Sequence, residues 1–391
     1  MIQQLLKRLQ EVYPEMVSWR RHFHQHPELS FLEGKTAEKI AEILRGFGLI
    51  VKKGVGGNGV IGVLQGKQEG KTIAFRADFD ALPITDEKEV GYKSTVQGVM
   101  HACGHDGHTA TMLGVAKVLS EFQEEIKGNV QFIFQHAEEK LPGGAASIIT
   151  EGGLDGVDAI YGAHLFTDLP LGKIGIKEGP IMAAVDVFKL TIQGKGGHGA
   201  KPHETVDSVV VGSQIVNQLQ QIVSRRVDPL EPAVVTVGVF QAGTAFNIIA
   251  DKAKIEGTVR TFNPRVREKI EAEIRSIVKG VCESSHAGYE LEYTHGYPAL
   301  FNHKEETTLV KKLVQEELGT EQLVELPPRM AAEDFAYYVQ EVPGAFFMIG
   351  AHGEGENTCY ANHHPKFDFE ENAMEVGGKV FLRLAHYYVM E

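Results

Sequence analysis

Cysteine is scarce in this chain. Only Cys103, Cys282 and Cys359 occur in 391 residues. So sparse and odd a set builds no disulfide framework, and a reducing cytoplasm is the expected setting. Long apolar runs are also missing: none approaches the roughly 20 residues that span a bilayer. The first residues, Met1 to Leu9, read as a polar amphipathic helix start, without the apolar centre and cleavage site of a signal peptide. Positive charge is the third shortage. Lys and Arg number 39 against 52 Asp and Glu, a formal net charge of −13, which argues against nucleic acid or an anionic membrane as the main partner. Fixed-period repeats and low-complexity tracts are absent as well.

What remains is an ordinary globular composition, 43% hydrophobic and 23% charged. At this length two domains are expected. Residues 1–48 read mostly as helix, with Leu5, Leu9, Val12, Met16 and Trp19 at helical spacing and a second segment from Thr36 to Phe47 closed by Gly48. Strands are expected at Val60–Leu64, Thr72–Asp78 and Asn129–Phe134, with a helix from Thr109 to Phe122 between them. Strands alternating with helices imply a largely parallel sheet, whose ligands sit at the carboxyl ends of the strands. Asp78, Asp80, Glu138 and Glu139 all fall just past expected strand ends.

The texture changes near residue 184. The order strand Val185–Ile192, helix Val206–Val223, strands Ala233–Phe240 and Ala253–Thr261, helix Arg265–Cys282, strand Tyr289–Thr294 is the βαββαβ pattern of a ferredoxin-like sandwich. Residues 184–296 are therefore expected as a smaller inserted domain, with 1–183 and 297–391 forming the larger one. In the latter part, a helix is expected at Glu305–Leu318, a strand at Ala345–Gly350 and a closing helix at Glu371–Tyr388.

The chemistry concentrates in two windows, His101 to His108 and His136 to Glu139. Thiolate, imidazole and carboxylate are the donors that bind divalent transition metals. Cys103 and His105 flank Gly104, and a loop there can aim both at one point. His101 and His108 read equally well as ligands or as supports. Adjacent glutamates point differently on any backbone, so one of Glu138 and Glu139 can ligate while the other serves as a general base. A solvated acidic turn is the bland alternative, and the apolar strand before the pair weighs against it. His164 follows an apolar run, and His363-His364-Pro365 lies late in the chain. Taken singly, each reads as a structural histidine; they gain weight only if a two-metal site needs ligands beyond the first cluster. The glycine-rich Gly194–His203 lacks the Gly-Lys-Ser/Thr ending of a phosphate loop. Its His198 suits reaching into a cleft, and Asn247 and Arg260 suit a carboxylate or an oxyanion.

Together the motifs resemble the M20 metallopeptidase and amidohydrolase family, its subfamily D in particular. This is the branch of N-acyl-amino-acid amidohydrolases that includes hippurate hydrolases, N-acetyl-amino-acid deacetylases and plant auxin-conjugate hydrolases. The resemblance spans essentially the whole chain. Its carriers are Trp19 to Glu28, Arg76 to Pro83, His101 to His108, Ala137-Glu138-Glu139, Gly196 to Gly199, Ala332-Glu333-Asp334-Phe335 and His363-His364-Pro365.

The resemblance implies an α/β catalytic domain with a mostly parallel mixed sheet flanked by helices, carrying an inserted ferredoxin-like α+β lid or dimerisation domain. It implies two divalent metal ions per subunit: zinc, manganese, nickel or cobalt. Cys103 would bridge them, with His105 and His164 completing one site and Glu139 and His363 the other; His364 is the competing choice for the last position. Glu138 would be the general base toward a metal-bound water. Peptidase branches carry a histidine ligand where this chain has Asp78, so that ligand is absent and Asp80 becomes a support. His198 would stabilise the oxyanion in a neighbouring active site, and Asn247 and Arg260 would hold the substrate carboxylate. The implied protein is a homodimeric or tetrameric metallo-aminoacylase, with an aminopeptidase or carboxypeptidase of the same fold as the rival and a non-catalytic binding protein as a remoter one.

Overall fold

The computed structural model describes residues 1–353 and 360–391; Cys359 lies outside them. In chain order the elements open with α1 (Ile2–Gln25), α2 (Gly34–Gly46), β1 (Ile50–Val55), β2 (Gly59–Gln65), β3 (Gln68–Asp78), α3 (His105–Ser120), β4 (Lys127–Gln135), α4 (Ala145–Thr150), β5 (Ala159–Pro170), β6 (Ile174–Gly175) and β7 (Gly179–Met182). The middle holds β8 (Ala184–Gln193), β9 (Gly197–His198), α5 (Ser208–Gln221), β10 (Ala233–Ala242), β11 (Ile248–Ile249), β12 (Lys252–Thr261), α6 (Pro264–Ser284) and β13 (Gly288–His295). The chain ends with β14 (Leu300–Asn302), α7 (Lys304–Leu318), β15 (Leu323–Val324), α8 (Phe335–Glu341), β16 (Gly344–His352) and α9 (Asn372–Val389).

Two compact units result. The first comprises Met1–Ile181, Leu300–Pro328 and Asp334–Glu391; the second comprises Met182–Ala299 and takes in the short return Arg329–Glu333.

In the first unit, eight strands among the described residues form one sheet in the order β1-β2-β4-β3-β5-β16-β6-β15. The centre is parallel, β4 with β3, β3 with β5 and β5 with β16. β1, β2 and β4 pair antiparallel at one side. The central strands are apolar on both faces because both are covered: Val130, Phe132, Ile133 and Phe134 of β4 are all fully buried. Alternation along β5 shows how. Tyr161 donates or accepts at the hydroxyl of Tyr388 on α9. Its neighbour Gly162 lies against Phe335 of α8, so closely that an added Cβ would meet that ring at 2.8 Å. Successive residues point to opposite faces, so α9 and α8 lie on opposite sides of the sheet. α1, α3 and α9 pack on one another, joining Leu5, Met16, Leu113 and Phe381 with Phe75 of β3 in one core. Each such side chain contributes about 1.5–3 kcal/mol on burial.

The second unit is a four-stranded antiparallel sheet, order β10-β12-β8-β13. Phe188, Leu190 and Ile192 of β8 alternate inward onto Ile215 and Leu219 of α5 and Ile270 and Ile274 of α6. Both helices start as their sequences dictate. Asp207 accepts from Val209 N–H at 2.9 Å, and Asn263 accepts from Arg265 N–H at 2.9 Å ahead of Pro264.

Two local expectations change. The helix expected from Thr109 begins at His105, so His105 and His108 stand on a helical turn rather than in a loop. The strand β1 and the short helix α8 have no counterpart among the expected elements. β1 is an edge strand with both lysines exposed, which erases the alternation that periodicity reads.

Candidate metal centre

The parallel centre of the sheet sets the site. Arg76 of β3 pairs with Gly162 of β5, so two residues on, Asp78 and His164 stand level at the carboxyl end of β3. β4 ends at Gln135, and the chain turns through Ala137, whose φ is 53°, to present Glu138 and Glu139. Cys103 precedes α3, and Gly104 takes φ 93° to let the helix begin immediately at His105. A side chain at Gly104 would be strained by that backbone angle alone. His363 also holds a left-handed conformation, φ 71°, and donates its N–H to Ala102 O at 2.7 Å. Positive φ at non-glycine residues is uncommon and concentrates at functional sites; here Ala137 and His363 both adjoin the cluster.

The side chains converge. Cys103 Sγ lies 3.3 Å from His164 Nε2 and 3.3 Å from His363 Nε2. Glu139 Oε1 is 3.2 Å from His363 Nε2 and 3.8 Å from His105 Nε2. Cys103, His105 and His164 offer donor atoms within 4.8 Å of one another, and so do Cys103, Glu139 and His363. The sulfur of Cys103 is common to both groups. Glu138 is buried and joins His105 and Glu139 in a third such group. His364 turns elsewhere, stacked on Tyr360 at 4.4 Å with its Nδ1 accepting from Lys366 N–H.

Neighbours fix the tautomers. His105 Nδ1 faces Asp80 O at 2.9 Å, and His164 Nδ1 faces Leu165 O at 2.8 Å. A carbonyl only accepts, so both Nδ1 atoms carry a proton and both Nε2 atoms turn toward Cys103 and Glu139, where a bound cation would take the place of any proton on Nε2. Among the described residues, His105 Nε2 and Glu139 Oε1 are shut from solvent and make no well-formed hydrogen bond, Glu139 Oε1 having only the 3.2 Å approach of His363 Nε2. Leaving such atoms unmatched costs about 1–3 kcal/mol each. A cation held between them removes that cost, so the donor set fits a metal.

The electrostatics agree. Burial works against a charge on His105, but Asp78, Asp80 and Glu139 outweigh it and raise it to about 10. The pocket is built for positive charge. Burial, then Glu139 and Glu138, push the Cys103 thiol well up; a divalent cation reverses that and holds the thiolate.

His108 does not join the donors, although Asp78, His105 and His108 also lie close enough to suggest a metal group. Its Nδ1–H donates to Asp78 Oδ1 at 2.6 Å and its Nε2 accepts from Leu165 N–H at 2.9 Å, leaving no lone pair free. Burial lowers its pKa, in keeping with a neutral ring. Asp78 itself is held by Arg76 Nη1 at 2.7 Å, and Arg76 reaches Asp334 at 2.9 Å. Burial would raise Asp78, but His105, Arg76 and His108 keep it well below the usual carboxylate range. Asp106 accepts from Arg20 at 2.9 Å and meets His24 at 2.8 Å. His101 is buried; neither ring nitrogen makes a hydrogen bond among the described residues, and burial lowers it to about 4.

His198, Asn247 and Arg260 belong to the second unit. His198 and Asn247 are adjacent, since Gly199 N–H donates to Asn247 O at 2.9 Å. Arg260 is apart from them. It pairs with Val185 at the far end of β12, nine residues from Asp251, about 30 Å at strand rise. Within one unit the three do not form a single subsite. His198 Nδ1 accepts from Ala200 N–H at 3.0 Å, which leaves Nε2–H as a donor. Burial lowers Arg260, and among the described residues its guanidinium has no hydrogen-bond or ion-pair partner.

Residues 74–387 match the Peptidase family M20/M25/M40. The chain belongs to that family. It is a hydrolase acting on amide bonds. YhaA of Bacillus subtilis (strain 168) is 50% identical to this family member over 382 residues, 98% of this chain and 96% of that protein. An N-acyl-L-amino acid amidohydrolase of Geobacillus stearothermophilus is 48% identical over 306 residues, 78% of this chain and 83% of its own. Among solved structures, the Bacillus subtilis YXEP protein, described as a dinuclear metal binding peptidase from the M20 family, superposes with TM-score 0.81 at 37% identity. That match covers 96% of this chain and 98% of that one.

Sequence reasoning assigns no role to Arg20, although it falls within a recognised motif, and passes over Asn362 altogether. Arg20 is fully buried and pairs with Asp106, Asp368 and Glu371. Asn362 donates to Cys103 O and Leu165 O. Its only sequence signal is its place beside His363.

Proposed function

We propose that this member of the family hydrolyses the amide bond of N-acyl-amino acids, N-acetyl, N-benzoyl or similar, to a carboxylic acid and a free amino acid. The observation that carries the reading is the meeting of Cys103, His105, Glu139, His164 and His363 around one sulfur with Glu138 alongside. Cys103, His105 and His164 would hold one divalent ion, and Cys103, Glu139 and His363 the other; zinc, manganese, nickel and cobalt all suit such donors. When bound, the two ions supply Lewis-acid polarisation of the acyl carbonyl and ease the ionisation of water.

The chain's own residues do the rest. Glu138 takes a proton from the attacking water and passes it to the leaving amine nitrogen, so the acyl carbon gains an oxygen as its bond to nitrogen breaks. His198 would reach the active site of a neighbouring subunit and donate Nε2–H to the oxyanion developing there. Arg260 holds the substrate carboxylate, its half-buried guanidinium having only the charge of Asp186 acting on it among the described residues, and Asn247, which lies with His198 and apart from Arg260, would reach that carboxylate from a second subunit. Self-association is part of the reading: Val210, Phe246 and Ile248 of the second unit are more than half exposed and would be covered by a partner subunit. The scarcity of cysteine supports a cytoplasmic setting.

The test is a hydrolysis screen of N-acetyl and N-benzoyl amino acids against free dipeptides, with each metal returned to stripped protein. Turnover of the acyl compounds with a two-ion requirement supports the reading. Turnover of dipeptides alone replaces it with a peptidase.

A further inference from the structure

The amide of Asn362 lies among acceptors. Its Nδ2 is 3.1 Å from Cys103 O, 3.2 Å from Leu165 O and 3.8 Å from Cys103 Sγ. Two carbonyl oxygens and a sulfur leave no choice of orientation: the NH2 group faces them, because the amide oxygen in that place would repel both carbonyls.

The contacts join three separate stretches of chain. Cys103 comes from the turn before α3 and Leu165 from β5. Asn362 itself carries the peptide into His363, whose N–H bonds back to Ala102. The Leu165 peptide is a node. Its carbonyl accepts from His164 Nδ1 at 2.8 Å, and its N–H donates to His108 Nε2 at 2.9 Å. Asn362 therefore holds the group that orients His164, the backbone that carries Cys103, and the approach to His363.

We infer that Asn362 is a positioning residue for the metal centre: its two N–H groups tie Cys103 O and Leu165 O, and one of them is shared with the Cys103 sulfur at 3.8 Å, so the backbone on both sides holds that sulfur facing His164 and His363 together. This rests on the two-ion reading above. The N–H shared with the sulfur adds a weaker, charge-assisted restraint on a thiolate beside the two carbonyl bonds. Partners of this kind, one step behind the ligands, are commonly worth about 10–100-fold in metal affinity.

The test is cobalt(II) titration of stripped wild-type, Asn362→Leu and Asn362→Asp proteins, followed by the thiolate-to-cobalt charge-transfer absorption. Asn362→Leu keeps the volume and removes the donors. It is expected to bind at least one cobalt about 10–100-fold more weakly and to shift that absorption, with kcat lowered more than KM. Asn362→Asp, the same size, sets a carboxylate against two carbonyls and a thiolate and is expected to bind more weakly still. The labelling rate of Cys103 in metal-free protein, resolved by peptide mass, should rise in both variants. Native cobalt affinity, unshifted absorption and unchanged labelling in Asn362→Leu would overturn the inference. Should Asn362→Leu fail to fold, Asn362→Asp decides by the same three measurements. If wild type itself binds fewer than two cobalt ions, the two-ion reading fails, and this inference with it; if wild type binds two and both variants do so unaltered, only the role of Asn362 falls.

Discussion

Asp80 and His105 are joined twice, the imidazole Nδ1 facing Asp80 O at 2.9 Å and Asp80 Oδ1 at 3.2 Å. The other carboxylate oxygen accepts from Glu139 N–H at 3.0 Å and from the Ser30 hydroxyl at 2.7 Å. One side chain thus orients a histidine on α3 and the acidic loop after β4 at once. Asp80→Ala should weaken metal binding about 10–100-fold, measured by equilibrium dialysis. Two equivalents held at wild-type affinity would show that Asp80 orients neither.

Glu138→Gln removes a proton acceptor and little else. Turnover of N-acyl-amino acids is expected to fall about 10²–10⁴-fold, the range of a positioned general base, with metal content unchanged. Cys103→Ser should do the reverse and lower metal content first. Elemental analysis beside steady-state rates separates the two outcomes.

Arg260 should matter only to substrates that carry a carboxylate. With Arg260→Ala, KM for an N-acyl-amino acid is expected to rise about 10–150-fold, the equivalent of a charge-assisted bond of about 1.5–3 kcal/mol. The matching carboxamide should be affected far less. Equal losses on both would remove the role.

Buried ion pairs make the first unit acid-sensitive. Burial works against ionised Asp106, but Arg20 and His24 hold it well below the usual range. Asp368 is lowered likewise against burial, chiefly by Arg20. Unfolded carboxyls take up protons near about 3.9. The stability from these groups is therefore complete above that pH and is lost as pH falls through the folded values. The urea midpoint should fall between pH 5 and pH 3 as these carboxyls protonate, on top of an earlier fall between pH 7 and pH 5 from His101, whose buried ring is held neutral down to about 4. Arg20→Met, which strands two buried carboxylates, should cost about 3–5 kcal/mol at pH 7.

Phe246 is wholly exposed and Ile248 half so. Asp at either position should shift the sedimentation coefficient toward a monomer without changing the thermal midpoint of the first unit. An unchanged coefficient would place any self-association elsewhere.

Much of this is legible in residue order. Glu138 and Glu139 announce themselves by following an apolar strand, and the βαββαβ unit by its alternation. Sequence pattern misplaces His105 in a loop because periodicity is a property of apolar positions, and the first turn of α3 is polar. That turn is buried all the same, since Asp80 meets His105, Arg20 meets Asp106 and Asp78 meets His108. Pairing of that kind depends on which strand lies beside which. Nothing in the chain tells that Asp78 will stand level with His164, or that an amide at 362 will meet a carbonyl at 165.

The sulfur of Cys103 and the imidazole of His363 touch across 260 positions of sequence. A growing chain emerges from the ribosome in order, so one arm of the cluster is complete long before the other exists. Full metal acquisition therefore waits for the end of translation. On the two-ion reading, a nascent chain that ends before residue 363 presents one arm of the cluster without the other.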